Sequence, residues 1–269
     1  MKSLLVFGGN GFLGRRICQV AVEHGYQVTS LSRSGRPPPL SASWEKEWIS
    51  EVKWQQCDIF NAQSYGQHLK GASNVVHSIG ILFEDSGYKK RIRGKSLFTA
   101  PDLLKWGANP LKNDPKFTYD MMNKQSALNL AKDFAKPENS NEEARRTFTY
   151  ISADRGFPLI PKGYIQSKRE AEMGLMRLEE SIRPIIMRPG FMYDENFDSA
   201  EHRDVRSHVK SFVETLNCGN QLLLRGKIPF VNELIRPTVS TQQVGRAIIK
   251  NIEDPSFEGV CTLEQILKT

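Results

Sequence analysis

The sequence predicts an α/β protein built on a doubly wound parallel sheet, with a small C-terminal lobe. Two observations favour this fold class. Short apolar runs of strand length alternate with segments of helical periodicity along most of the 269 residues. A glycine turn, Gly8-Gly9-Asn10-Gly11-Phe12-Leu13-Gly14, joins the first apolar strand to the first amphipathic helix. This succession of strand, turn and helix is typical of Rossmann-type dinucleotide-binding folds.

The composition indicates an ordinary soluble globular protein, with 39% hydrophobic and 25% charged residues. The longest apolar stretches are far shorter than the roughly 20 residues that cross a bilayer, so we expect no transmembrane helix. The first strand begins at Lys2, and we therefore expect no cleavable leader; import into an organelle would use an internal signal. The four cysteines are scattered, which predicts reduced thiols and no metal site.

A basic segment carries much of the net charge of +7. Five basic residues lie between positions 89 and 95, inside an irregular stretch at 84–116 that we interpret as an insertion. A solvated loop, contact with acidic lipid headgroups at a membrane surface, and an acidic protein partner all fit this pattern. Nucleic acid is a poorer fit, because few aromatic residues for base stacking accompany the charges.

The glycine turn predicts the phosphate end of a dinucleotide site. Glycines at 8, 11 and 14 permit a tight turn, let the backbone approach a pyrophosphate and allow the helix to pack close to the sheet. The phosphates would then lie against the backbone amides at the start of the helix. The predicted cofactor-binding residues here are Gly8, Gly9, Asn10, Gly11, Phe12, Leu13 and Gly14.

The end of the second strand, predicted at 26–31, distinguishes the two nicotinamide cofactors. The strand runs into Ser32-Arg33-Ser34-Gly35-Arg36. An acidic residue here would bind the ribose hydroxyls and favour NAD(H), whereas arginines suit a 2′-phosphate. We therefore expect NADP(H), with Ser32 and Arg33 as contacts and NAD(H) as the alternative.

The next two strands, at 52–56 and 74–77, add candidates along the same edge of the sheet. Asp58, followed by Ile59, could accept a hydrogen bond from the adenine amino group or cap the helix that follows; both alternatives stay open. The fourth strand ends at His77 and Ser78, where small residues let the backbone lie along the cofactor. His77 itself is more typical of a packed histidine than of a catalyst.

Tyr164 and Lys168 are the candidates for proton chemistry. A spacing of four places both side chains on one face of a helix. A tyrosine must lose about three pKa units to exchange protons near neutrality, which costs roughly 4 kcal/mol. A neighbouring ammonium, together with a nicotinamide cation, supplies shifts of that order at ~4 to 6 Å. Downstream of a glycine turn and five strands, the pair indicates a catalytic site.

These motifs, in this order, resemble the extended or atypical short-chain dehydrogenase/reductases. The resemblance rests on the glycine turn, Asp58, the strand at 75–78, Asn123, the Tyr164/Lys168 pair and Arg188-Pro189-Gly190. Residues 148–154, 163–172 and 235–244 are more similar still to one branch. That branch is a fungal mitochondrial reductase associated with coenzyme Q biosynthesis, related to the nucleotide-binding accessory subunit of respiratory complex I.

The resemblance implies roles for individual residues. Tyr164 would be the general acid/base, Lys168 would hold the nicotinamide ribose and lower the tyrosine pKa, and Asn123 would support a proton-relay water. Pro189 would contact the cofactor. Where the family usually has a catalytic serine or threonine, this chain has Ala153 or Asp154, and Ser152 is the nearest hydroxyl. Weaker polarisation of a substrate carbonyl is therefore expected.

The resemblance also implies an organisation and a function. Residues 1–269 would form one NAD(P)-binding domain with a substrate-side lobe at 191–236, whose apolar residues suit either a lobe core or a hydrophobic substrate. One hypothesis is an NADP(H)-dependent reductase of a carbonyl or quinone-type precursor. It would work with protein partners of coenzyme Q biosynthesis, at the matrix side of the mitochondrial inner membrane. The other is a non-catalytic nucleotide-binding subunit that stabilises a mitochondrial biosynthetic or respiratory assembly.

Overall fold

The computed structural model describes residues 2–82, 116–137, 145–155, 161–195 and 236–269. In these ranges seven strands form one parallel sheet of order β3-β2-β1-β4-β5-β6-β9, and two short strands pair separately as β7-β8. The strands are β1 (Ser3–Phe7), β2 (Gln27–Ser32), β3 (Lys53–Gln56), β4 (Asn74–His77), β5 (Arg146–Ile151), β6 (Ile182–Met187), β7 (Met192–Tyr193), β8 (Val239–Ser240) and β9 (Gly259–Cys261).

The helices lie on both faces of this sheet. They are α1 (Gly14–Glu23), α2 (Glu45–Glu51), α3 (Gly66–Leu69), a π-helix (Asp120–Gln125) that continues as α4 (Ser126–Ala135), α5 (Lys162–Met176), α6 (Thr241–Glu253) and α7 (Leu263–Leu267). The sequence predicts one regular helix over 117–135, and the structure replaces its first turns by the wider π-helix.

The strand order reverses direction between β1 and β4. From β1 the chain builds outward through β2 to β3, and it then returns to the other side of β1 and builds through β4, β5, β6 and β9. Phe7 at the end of β1 pairs in register with Leu31 of β2 and with His77 of β4. The predicted fold class, a Rossmann-type doubly wound sheet, is therefore confirmed, and its crevice opens beside the glycine turn.

Two apolar layers cover the sheet. Helices α1 and α6 pack on one face, where Ile17, Val20 and Ile248 are buried. Helices α3, α4 and α5 cover the other face, where Phe134 and Leu175 are buried. Because both faces are covered, the central strands β1, β5 and β6 are buried along nearly their whole length.

Strand β6 contains a proline, which is unusual inside a central strand because proline has no N–H for the ladder. Pro184 pairs in register with Phe148 of β5. Strand β9 accompanies β6 only from Ile185 to Met187. The proline thus lies where β6 has a paired neighbour on one side only, and the missing N–H is tolerated there.

Two predicted segments fall largely outside the described residues. Of the basic insertion at 84–116 only Lys116 is described, and of the lobe at 191–236 only 191–195 and Arg236 are described. Both assignments stay predictions. Within the described ranges, no helix is long and apolar enough to cross a membrane. The same ranges contain no group of three or more metal-ligating side chains placed to hold an ion.

Candidate functional site

The glycine turn has the geometry that the motif predicts. Gly8 has a φ of 87°, a left-handed conformation that favours glycine. Its N–H donates to the carbonyl of Leu31 at 2.8 Å, and its own carbonyl accepts from the N–H of Gly11 at 2.9 Å. A Cβ added at Gly14 would collide with the Gly8 carbonyl oxygen, and one added at Gly9 with the Ser30 hydroxyl. The close approach of α1 to the turn therefore depends on these glycines.

The amino end of α1 lies directly beside this turn. No side chain caps the helix at Leu13, and its first turn contains no acidic residue. Backbone amides at a helix start need an acceptor, and they favour an anion. A turn whose glycines leave the backbone accessible, next to a helix start without a side-chain cap, fits a pyrophosphate. Leu13 packs into the core, and Phe12 is half-buried beside it.

The loop after β2 is held against the glycine turn. Asn10 donates from Nδ2 to Ser34 Oγ at 2.9 Å and to the carbonyl of Arg36 at 3.4 Å. Ser32 Oγ accepts from the N–H of Gly35 at 3.2 Å. The Arg33 and Arg36 side chains are exposed and make no hydrogen bond or ion pair with any residue that the structure describes. Two guanidinium groups are thus available next to the turn.

Arg16, two residues after the turn, is fully buried in an ion network instead. Its Nε donates to Asp194 Oδ2 at 2.9 Å, and its Nη1 donates to Glu45 Oε1 at 2.8 Å. Arg15 donates to the same Glu45 carboxylate at 2.7 Å, and Gln242 Nε2 donates to Asp194 Oδ1 at 2.9 Å. The network joins α1 to α2, to α6 and to the residue that follows β7. Sequence reasoning missed it.

Asp58 and its neighbours contribute backbone geometry. Asp58 Oδ1 accepts from the N–H of Phe60 at 3.0 Å in a local turn. The helical turn that follows is capped by Asn61 instead, so the capping alternative for Asp58 is wrong, and its contact with adenine stays a prediction. Ile59 is buried. The N–H of Ser78 donates to the carbonyl of Phe7 at 2.9 Å, and the Pro189 carbonyl accepts from the N–H of Asp154 at 2.9 Å. Ser78 and Pro189 therefore lie at the carboxyl edge of the sheet, as predicted cofactor neighbours should.

His77 packs beneath this edge. Its Nε2 lies 2.9 Å from Ser126 Oγ, and that hydroxyl donates onward to the Met122 carbonyl at 2.8 Å. Because the serine proton is engaged, Nε2 is the donor in this pair. Burial, together with the charge of Lys168, lowers the pKa of His77 to about 3. The ring is neutral at pH 7, and its side chain points into the fold.

Lys168 is buried close to Tyr164. Its Nζ donates to the carbonyl of Ile151 at 2.7 Å and lies 5.9 Å from the centre of the Tyr164 ring. Burial lowers the pKa of Lys168 to about 7, an effect that the Glu172 carboxylate partly opposes. A Cβ added at Gly80 would lie 3.2 Å from Lys168 Nζ, so glycine makes room for the ammonium. Tyr164 is half-buried and meets the ring of Tyr119 edge-on at 6.2 Å.

Asn123 is buried in the π-helix and clamps the chain after β4. Its Oδ1 accepts from the N–H of Ile81 at 2.8 Å, and its Nδ2 donates to the carbonyl of Ile81 at 3.1 Å. Its backbone carbonyl accepts from the hydroxyl of Tyr150 at 2.5 Å. The amide oxygen and nitrogen and the carbonyl oxygen of Asn123 thus all have protein partners. A relay water at Asn123 stays a prediction, and it would have to share these atoms.

Ser152 does not offer a free hydroxyl. It is buried, donates to Glu172 Oε1, and accepts from Arg169 Nη1 at 3.2 Å. Arg188 binds the same Glu172 carboxylate. The next two residues in the chain are the nearly buried Ala153 and then Asp154, whose carboxylate accepts from Arg236 Nε at 2.6 Å. The position where a serine or threonine is usual therefore has no hydroxyl free to donate to a substrate.

The sequence matches a protein family over its amino-terminal part and one known protein over its whole length. The family described as NAD dependent epimerase/dehydratase matches residues 4–87, which contain the glycine turn and the first four strands. MIOREX complex component 2 of Saccharomyces cerevisiae is 53% identical over 281 residues, covering 100% of this chain and 99% of that protein. The chain belongs to the extended short-chain dehydrogenase/reductases.

Solved structures share the fold at low identity. A short-chain dehydrogenase/reductase from Mycobacterium ulcerans is 14% identical with a TM-score of 0.57, and the alignment covers 99% of this chain and 90% of that one. FolM alternative dihydrofolate reductase 1 from Brucella canis, complexed with NADP, is 16% identical with a TM-score of 0.58 and coverages of 99% and 94%. These similarities support the Rossmann-type fold of this chain.

Lys168 predicts a specific pH dependence of stability. Its pKa is near 7 when folded and 10.5 when unfolded, so between these values the unfolded chain binds more protons. The free energy of unfolding should then rise with pH, by up to about 1.4 kcal/mol per unit. We expect the free energy of unfolding of the wild type, measured by denaturant titration, to rise relative to that of Lys168→Met from pH 7 to pH 10. Lys162→Met, an exposed change on the same helix, is the control; a pH-independent difference for Lys168→Met would contradict the assignment.

Proposed function

We propose that this protein binds NADP(H) and uses Tyr164 and Lys168 to reduce a carbonyl or quinone-type precursor in coenzyme Q biosynthesis. One observation carries the proposal. The glycine turn and the buried Lys168 lie at the same edge of one parallel sheet, with Gly80 leaving space against Lys168 Nζ. A nucleotide laid along this edge would place its phosphates at one end and its reactive ring at the other.

The residues present fit such a cofactor. The amides of the turn and of the α1 amino end would hold the pyrophosphate, and Lys168 would hold the nicotinamide ribose. When bound, the nicotinamide supplies the hydride. Tyr164 would hold the proton at its hydroxyl, and Lys168 Nζ, 5.9 Å from the centre of the tyrosine ring, would favour the ionised hydroxyl when the lysine is charged. Because the pKa of Lys168 is near 7, its charge responds to small changes of its surroundings.

Arg33 and Arg36 support NADP(H) rather than NAD(H). Both are exposed beside the turn and have no partner among the described residues, whereas Arg15 and Arg16 are engaged by carboxylates. A 2′-phosphate would give these two guanidinium groups a charge-assisted partner. The neighbour from Brucella canis, which was solved with NADP, is consistent with this preference.

The double variant Arg33→Ala/Arg36→Ala tests the preference. The wild type should bind NADPH more tightly than NADH, and the variant should bind NADPH roughly 10- to 100-fold more weakly with NADH affinity unchanged. Calorimetric titration measures both affinities. Arg246→Ala, an exposed change on α6, is the control. If the wild type bound NADH as tightly as NADPH or more tightly, Arg33 and Arg36 would not be the binding site of a 2′-phosphate.

The cellular setting is part of the proposal. The similarity to MIOREX complex component 2 over the whole chain supports work within a protein assembly. The coenzyme Q role, the mitochondrial location and the contact with the inner membrane rest on the resemblance of residues 148–154, 163–172 and 235–244. A hydrophobic substrate would enter from the predicted lobe, most of which lies outside the described residues.

The second candidate function is a non-catalytic nucleotide-binding subunit. The commitment of the Ser152 hydroxyl to Glu172, and of the Asp154 carboxylate to Arg236, favours it. Without a free hydroxyl donor, a substrate carbonyl would be polarised less, which typically costs about 3 to 4 kcal/mol of transition-state stabilisation. Such a subunit would need bound nucleotide for its stability but not the proton of Tyr164.

Tyr164→Phe separates the two functions. If the protein is a reductase, cells that depend on it should lose coenzyme Q when they carry this variant, although its NADPH affinity and its free energy of unfolding stay at the wild-type values. Tyr26→Phe, far from the site, should change nothing, and Gly14→Ala should remove nucleotide binding. Normal coenzyme Q in Tyr164→Phe cells, with loss in Gly14→Ala cells, would exclude the reductase and favour the subunit.

A further inference from the structure

Tyr150 of β5 is a buried residue that the proposed chemistry does not use. Its side chain has no exposed surface. The hydroxyl donates to the carbonyl of Asn123 at 2.5 Å, and the ring centre lies 4.8 Å from Lys168 Nζ. Tyr150 thus contacts both Asn123 and Lys168, the two residues whose side chains lie nearest to Gly80.

The hydroxyl satisfies a carbonyl in the π-helix. In this helix the turn is wider than in an α-helix, and such turns disturb the regular ladder of backbone hydrogen bonds. Tyr150 supplies a donor to Asn123, and Ser126 supplies one to the Met122 carbonyl at 2.8 Å. Asn123 in turn fixes both backbone groups of Ile81. The geometry of the chain after β4 therefore depends on the Tyr150 hydroxyl.

The ring acts on Lys168. A buried ammonium near an aromatic ring is stabilised by the negative face of the ring, and this effect is largest where water is excluded. The other titratable groups facing Lys168 are Glu172 and Tyr164 on its own helix and His77 on β4. His77 is neutral at pH 7, and Glu172 is shared with Arg169 and Arg188. The Tyr150 ring thus supports the charged amine together with the Ile151 carbonyl, which accepts from Nζ at 2.7 Å, and the Glu172 carboxylate.

We propose that Tyr150 is the positioning residue of this site: its hydroxyl fixes Asn123 in the π-helix, and its ring holds Lys168 Nζ against Gly80. Only the effect on nucleotide affinity rests on the proposed function. The effects of the hydroxyl and of the ring can be separated. Tyr150→Phe removes only the hydroxyl, whereas Tyr150→Leu removes both the hydroxyl and the ring.

The first measurement uses no nucleotide. The pKa of Lys168 is read by NMR titration of lysine methylene carbons in the labelled full chain, with Lys168→Met to assign the signal. Tyr150→Phe should leave the pKa at the wild-type value, and Tyr150→Leu should lower it by roughly one unit. If Tyr150 only filled space in the core, the pKa of Lys168 would be the same in Tyr150→Leu as in Tyr150→Phe. An unchanged pKa in a folded Tyr150→Leu variant would overturn the role of the ring.

The second measurement is the NADPH dissociation constant by calorimetry. Tyr150→Phe should raise it roughly 5- to 10-fold, because the Asn123 carbonyl loses its donor while the ring remains. Thr149→Val is the matched control, since the buried Thr149 hydroxyl has no partner among the described residues. It should bind NADPH like the wild type.

The outcomes separate this proposal from the proposed function. Unchanged NADPH affinity in Tyr150→Phe, with normal binding by the wild type, would overturn the role of the hydroxyl. A wild type that binds no NADPH would overturn the proposed function, and the NMR titration would then decide the role of Tyr150 alone. If Tyr150→Leu does not fold, Tyr150→Met removes the ring with a flexible apolar side chain, and it should lower the pKa of Lys168 in the same way.

Discussion

All seven strands of the sheet run parallel, and this constraint decides where each functional group of the chain lies. The carboxyl ends of parallel strands meet at one edge, so the chain leaves β1, β2, β4 and β5 next to one another there. The pairings of Phe7 with Leu31 and with His77 fix the register of that edge. Gly8 of the glycine turn and Lys168, 160 residues apart in the chain, consequently lie at the same edge of the sheet.

Two buried basic side chains at this edge are accommodated in different ways. Arg16 cannot lose its proton in a protein, so its burial requires the Glu45 and Asp194 carboxylates, and breaking such a pair costs about 3 to 5 kcal/mol. Lys168 can lose its proton, and its pKa falls to about 7 instead. The arginine therefore holds the framework around the turn, whereas the lysine is a group whose charge responds to what binds beside it.

The sequence predicted those parts of the site that local geometry decides. Gly8 and Gly14 are required by a positive φ and by a backbone contact, and a spacing of four puts Tyr164 and Lys168 on one helical face. Contacts between distant segments were not predictable from one sequence. The ion pair of Arg16 with Asp194, the donation from Tyr150 to Asn123 and the commitment of Ser152 to Glu172 each join separate elements. No local pattern encodes these partners. The closeness of Glu172 to Lys168 could have been predicted, because a spacing of four places both side chains on one helical face.

The central claim is that a nicotinamide nucleotide lies along the carboxyl edge, with its phosphates at the glycine turn and its nicotinamide ribose at Lys168. A crystal structure of the protein grown with saturating NADPH tests it most directly. The account predicts the pyrophosphate against the amides that follow Gly11, the 2′-phosphate beside Arg33 and Arg36, and the nicotinamide ribose within hydrogen-bonding distance of Lys168 Nζ. NADPH bound elsewhere on the chain, or no ordered nucleotide at saturation, would contradict it.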